Sequence, residues 1–155
     1  MRAAAAVLLA GLALSACRES ESVSKLPDVR LPTLAGAPGP SLASCLTPKC
    51  LTIVVAPWCG VCHAATPDIA RLRRFLKKAG VGTRVVVGLA DLEPIKRMAA
   101  LFGPDTLLDP DGVVIARGVP MFIVTAQGGA VVGRVAGFPR NANTPAELAA
   151  ILGLP

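Results

Sequence analysis

The chain has 155 residues, 53% of them hydrophobic and 17% charged, which supplies a core for one domain and leaves no room for two. Lys and Arg outnumber Asp and Glu by 16 to 10, aromatic residues make up 3%, and Tyr is absent. So few aromatic rings cannot build the stacking platforms of a single-stranded nucleic-acid binder, and nucleic acid is excluded as a partner.

In chain order, Arg2 precedes an apolar run from Ala3 to Leu14. That run is too short to cross about 30 Å of hydrocarbon. A positive start, a short apolar stretch and small residues read as a secretory signal over Met1–Ala16. Its end, Leu14-Ser15-Ala16-Cys17, resembles the bacterial lipobox and implies lipidation of Cys17 as the new first residue. Acyl chains hold to a bilayer by about 0.8 kcal/mol per buried CH₂. Residues 17–30, polar and without apolar period, read as a flexible tether. The domain, expected over 31–155, then stays close to a membrane without entering it.

Leu51–Ala56 is a short, β-branched run expected as a buried strand, and Pro57 stops it. Trp58-Cys59-Gly60-Val61-Cys62-His63 follows, and then a helix from about Cys62 to Ala79 with Ile69, Leu72, Phe75 and Leu76 as its apolar stripe. Thr83–Leu89 is a second strand. Glu93–Phe102 carries a second helix with Pro94 in its first turn and Gly103 just past its end. Asp109-Pro110-Asp111-Gly112 is a turn. Met121–Ala126 and Ala130–Phe138 flank Gln127-Gly128-Gly129 and form an antiparallel hairpin. Thr144-Pro145-Ala146-Glu147 is a capping box that opens a last helix over Leu148, Ile151 and Leu152. This order predicts an α/β fold, a central mixed sheet with helices on both faces.

Besides Cys17, the cysteines form two close pairs, Cys45 with Cys50 and Cys59 with Cys62. An exported protein retains such pairs as disulfides. Cys59 and Cys62 stand between a strand and a helix. A helix N-terminus carries partial positive charge and unpaired N–H groups, so a thiolate there is stabilised. Cys59, the first and more exposed thiol, is the expected nucleophile; Cys62, one turn in, is the expected resolving thiol.

Trp58-Cys59-Gly60-Val61-Cys62 resembles the thioredoxin active site, and the stretch from Leu26 to Leu154 resembles the TlpA-like, membrane-anchored branch of that superfamily. Pro67 stands where thioredoxins carry a helix-kinking proline. Gly118-Val119-Pro120 before a strand resembles their cis-proline loop, and Leu31–Leu42 their N-terminal hairpin. The resemblance implies a thioredoxin-like fold and a thiol-disulfide oxidoreductase, most simply a reductase. Its catalytic residues would be Cys59, Cys62, Trp58 and Pro120. The Val119 backbone beside a cis Pro120 would face a bound peptide. No soluble cofactor and no metal is implied. Partners would be exported protein thiols and disulfides, apocytochromes c among them, and a membrane dithiol as electron donor. The protein is expected to be a monomer in the bacterial cell envelope, facing the periplasm or exterior. Two positions depart from thioredoxin: Ile53 stands where a buried Asp is found, and Gly60-Val61 replaces Gly-Pro.

The same residues admit two other readings. Cys59-Gly60-Val61-Cys62-His63 also spells the c-type haem attachment motif, with Met98 or Met121 as a second axial ligand. Cys59 and Cys62 with Met121 or His63 would also suit Cu(I). The many β-branched strands argue against a cytochrome. Cys45 and Cys50, with Pro48 between them, read as a structural disulfide; a relay to Cys59 would have to cross about 20 Å of strand. Arg71, Arg73, Arg74, Lys77 and Lys78 form a basic helix face, read as solvated or as drawn to anionic headgroups.

Overall fold

The computed structural model describes residues 24–155. The signal expected over Met1–Ala16, the lipidation site Cys17 and the first part of the tether lie outside the described residues. Packing begins ahead of the expected boundary at Leu31. Leu26 is buried, its N–H donates to the Gly129 carbonyl at 3.1 Å, and Lys25 bridges to Ala130. The end of the tether expected at Arg30 is therefore corrected: Lys25–Arg30 belong to the domain. Leu26 and Val29 pack against the second core, and the Val29 carbonyl accepts the Leu42 N–H at 2.9 Å; two apolar side chains are too few to leave a period in the sequence.

Strands β1 (Arg30–Pro32) and β2 (Pro38–Ser41) form the antiparallel hairpin expected over Leu31–Leu42. The main sheet has five strands: β3 (Lys49–Val55), β4 (Gly82–Gly88), β5 (Leu107–Asp109), β6 (Met121–Ala126) and β7 (Val131–Ala136). Their order is β5-β4-β3-β6-β7. The β3–β4 and β4–β5 pairs are parallel, and β3–β6 and β6–β7 are antiparallel. Central β3 is buried from Cys50 to Val55, as a strand covered on both faces must be. Ile53 lies opposite Val85 on one side and Phe122 on the other. Edge strand β7 alternates half-buried and exposed residues along its length.

Three α-helices complete the described chain: α1 (Gly60–Lys78), α2 (Leu92–Ala99) and α3 (Pro145–Ile151). α1 buries Ile69, Leu72 and Leu76, and it ends in a Schellman closure. Gly80 there has φ 73°, and the Val81 N–H reaches the Leu76 carbonyl at 2.9 Å. The predicted capping box opens α3: Thr144 accepts from the Glu147 N–H, and the Glu147 carboxylate accepts from the Thr144 N–H. On α2, a hydrogen bond and charge attraction from Lys96 hold the Glu93 carboxyl below the usual carboxylate range.

The mixed sheet with flanking helices is present, but its covering departs from the expected helices on both faces. The buried side chains of α1, α2 and α3 all join Leu51, Ile53, Val55 and Phe122 in one core. The second face, built on Val54, Val86 and Ile123, is covered by Leu26, Leu31 and Leu42 of the N-terminal segment and by Val114. The physical reason is handedness. Both parallel crossovers step the same way along the sheet, and right-handed connections then place α1 and α2 on one face. Gly39 of β2 lies tight against the sheet, where a Cβ would run into Leu107 and the Leu31 carbonyl.

Candidate active site

β3 ends at Val55, and the chain turns through Ala56, Pro57 and Trp58, with the Cys59 N–H bonded to the Ala56 carbonyl at 3.1 Å. Cys59 is the N-cap of α1, with extended φ −87° and ψ 103°. Its Sγ accepts the Cys62 N–H at 3.1 Å, the place a capping hydroxyl or carboxylate usually takes. The first turn of α1 holds no acidic residue to oppose a negative sulfur there. In the reduced protein the oriented N–H and the helix dipole both favour the Cys59 thiolate.

Cys59 and Cys62 are joined as a disulfide, with Cα atoms 5.2 Å apart. Cys59 is 6% exposed and Cys62 fully buried at 0%, so a partner sulfur can approach only the first. Cys62 packs in the core that contains Ile53 and Ile69, where burial disfavours its ionised form. Ile53 offers no proton acceptor. Further along α1, the Thr66 hydroxyl donates to the Cys62 carbonyl at 3.1 Å. Pro67 lies inside the helix and withholds the N–H that would serve the His63 carbonyl.

Trp58 is 65% exposed, and its Nε1–H donates to the Leu89 carbonyl at 2.8 Å. Leu89 follows β4 with φ 62°, a left-handed conformation that costs a β-carbon residue about 1–2 kcal/mol. That turn aims the carbonyl at the indole. The exposed His63 ring directs Nε2 at the Pro57 carbonyl, 2.8 Å away.

The Val119–Pro120 bond is cis, and the Cys59 Sγ lies 3.4 Å from the Val119 carbonyl oxygen. The loop is held at its far end by the Gly137 N–H, which donates to the Pro120 carbonyl at 2.8 Å. Its near end is held by Asp109, the last residue of β5. The buried Asp109 carboxylate accepts the N–H groups of Val113 and Val114, each at 2.8 Å. Gly88 on β4 leaves room for this residue, since a Cβ there would stand 2.8 Å from the Asp109 carbonyl oxygen.

Two grooves open beside Cys59. One, of about 400 Å³, starts at Val61 and Val119 and runs past Ala64 to Phe138 and Arg140. The other, of about 630 Å³, starts at Trp58 and runs past Leu89 and Pro94 to Asp91 and Asp111.

The structure thus gathers Trp58, Cys59, Cys62, Val119 and Pro120 at one end of the sheet. It does not gather the donors of the metal and haem readings. Met121 belongs to the core on the face opposite Cys62, Met98 is buried on α2, and the His63 ring is turned to Pro57. Leu89, Asp109, Phe138 and Arg140 are site residues that sequence reasoning passed over. The Asp109-Pro110-Asp111-Gly112 turn is visible in the sequence, but nothing local shows what it holds, and Leu89 reads there as the last residue of a strand.

Cys45 and Cys50 form the second disulfide, with Cα atoms 5.7 Å apart, at the start of β3 and so at the opposite end of that strand from Cys59. Arg84 reaches toward it from β4 and donates to the Ser41 and Ser44 carbonyls at 2.8 and 2.6 Å. Burial pushes the Arg84 guanidinium below its ordinary value. The basic face of α1 is divided. Arg71 pairs with Asp68, and Arg73 reaches the Phe102 carbonyl and Asp105, while Arg74, Lys77 and Lys78 stay exposed.

No protein-family model matches the chain, and no curated protein matches it. Among solved structures, it is similar to a secreted Mycobacterium tuberculosis disulfide oxidoreductase homologous to E. coli DsbE. The identity there is 20% and the TM-score 0.59, over 81% of this chain and 95% of that one. A thioredoxin-family thiol:disulfide interchange protein from Chlorobium tepidum aligns at 19% identity and TM-score 0.59, over 84% and 94% of the two chains. A putative thiol:disulfide interchange protein DsbE from the same organism aligns at 24% and 0.53, over 82% and 89%. The frame that carries Cys59 to the head of α1, opposite the Val119–Pro120 loop, is the thioredoxin-like fold.

Proposed function

We propose that the chain is a thiol-disulfide oxidoreductase of the cell envelope that reduces protein disulfides. The observation that carries this reading is the position of Cys59: its sulfur caps α1, accepts the Cys62 N–H at 3.1 Å and is already joined to Cys62. The Cys59 thiolate attacks one sulfur of a substrate disulfide, forming a mixed disulfide and releasing the other sulfur as a thiolate. Cys62 loses its proton to water, attacks the Cys59 sulfur and frees the second substrate thiolate. The two electrons given to the substrate leave Cys59–Cys62 oxidised, and a partner dithiol returns it to the reduced state. Trp58 flanks the attacking sulfur, and the Val119 carbonyl and Pro120 bound the side from which a substrate arrives.

The location follows from the sequence: a signal over Met1–Ala16 and a lipid on Cys17 would hold the monomeric domain at a bacterial membrane, facing the periplasm or exterior. The secreted nature of the Mycobacterium tuberculosis protein supports an envelope setting. The donor would be a membrane dithiol and the substrates exported proteins, apocytochromes c among them.

Incubation with an oxidised protein substrate tests the roles. Cys62→Ser should accumulate a mixed disulfide through Cys59, seen as a gel shift that dithiothreitol reverses, and Cys59→Ser should not. Equal accumulation in both variants, or none in either, overturns the assignment.

A further inference from the structure

The two grooves beside Cys59 carry opposite charge. In the first, Val61, Ala64, Val119 and Phe138 give an apolar floor, and two charged residues stand at its rim. Asp68 is engaged by Arg71, while Arg140 is exposed and makes no ion pair among the described residues. This groove therefore presents a net cation beyond an apolar trough. In the second, Trp58 and Leu89 expose apolar surface, and Asp91 and Asp111 supply the charge. Asp91 caps α2 without a side-chain hydrogen bond, and neither aspartate is ion-paired among the described residues. Trp58 adds a ring face that favours a cation. Cys59 lies between the grooves, since Trp58 lines one and Val119, 3.4 Å from the Cys59 sulfur, lines the other.

We infer that the site selects polypeptide segments in which the disulfide-bonded cysteine has a basic side chain on one flank and a bulky apolar side chain followed by an acidic one on the other. The basic flank sits against Trp58, Asp91 and Asp111. The apolar residue fills the trough at Phe138, and the acid meets Arg140. Charge complementarity of this kind acts on encounter and register, and it disfavours a segment laid the wrong way round. The inference rests on the reduction chemistry proposed above and adds the class of substrate.

Synthetic peptides, each carrying one cysteine disulfide-bonded to a chromogenic aromatic thiol, test it with dithiothreitol as the regenerating dithiol. Four flank patterns are compared: basic–Cys–Phe–acidic, the reversed order, basic on both sides and acidic on both sides. Each rate is divided by that of the free aromatic disulfide with the same variant. One of the two mixed-charge orders should exceed both single-charge peptides by about tenfold in kcat/KM. Arg140→Glu should abolish the preference for an acid at one flank and create one for a base there, leaving the other flank's preference in place. The double change Asp91→Asn/Asp111→Asn should abolish only the preference for a base. Equal relative rates for all four peptides, with the free disulfide still reduced, overturn the inference alone. If neither the peptides nor the free disulfide are reduced, the oxidoreductase reading itself fails.

Discussion

A single side chain, Asp109, fixes the loop that brings Val119 to the reactive sulfur. Its carboxylate is buried and takes two backbone N–H groups, that of half-buried Val113 and that of buried Val114. Asp109→Ala should cost about 3 kcal/mol in urea unfolding, because hydrogen bonds to a charged group are worth about 1.5–3 kcal/mol each. Amide exchange at Val113 and Val114 should accelerate in the same variant. Unchanged stability would show that the loop is held by its apolar residues instead. Cys59 and Cys62 were legible in the sequence because their chemistry is local: a two-residue gap at a strand–helix junction already states both the reach and the dipole. Asp109 and Leu89 were not, because each acts on a partner several residues or a whole strand away, and Arg140 was not, because only the fold brings it to the groove that Val119 lines. Leu89 is the sharpest case, a residue with no turn propensity held at φ 62° under the Trp58 indole.

At the scale of elements, legibility followed the strength of the local signal. Met121–Ala126 has the bounds expected of it, and α3 is legible from its capping box with Pro145 and from the apolar residues Leu148, Ile151 and Leu152 after it. Thr144→Ala should remove one partner of that box and lower stability by about 1 kcal/mol, measured by chemical unfolding. A loss near zero would mean that α3 is kept by Leu148 and Leu152 without its cap. β5 escaped notice, since three residues, Leu107–Asp109, are too few to show a period, and only pairing with Val86, Val87 and Gly88 makes them a strand. The expected second helix ends just before Gly103, whereas α2 stops at Ala99 and continues as tight turns, the Leu101 and Phe102 N–H groups reaching back three residues. Hydrophobic pattern does not distinguish those two geometries over a single turn.

For the molecule as a whole, the two disulfides sit at opposite ends of β3. Cys45–Cys50 closes a short loop whose tip, Leu46, is 91% exposed, and Arg84 ties the same region to β4. Cys45→Ala/Cys50→Ala should therefore lose about 2 kcal/mol of stability, the entropy of so short a closure, and leave disulfide turnover unchanged. A fall in turnover with stability intact would instead make the pair part of the electron route. The covering of the sheet could not have been read locally, because which face receives a helix depends on the direction in which successive crossovers step. The Trp58 indole is the chain's only one, and it adjoins the Cys59–Cys62 bridge while a backbone carbonyl outside the reaction pins its ring. Light emitted from this ring is thus an intrinsic gauge. Quenching by the neighbouring bridge tracks the exchange of electrons, and the anchored indole contributes little change of its own, so a titration against glutathione reads the midpoint of the couple without a label.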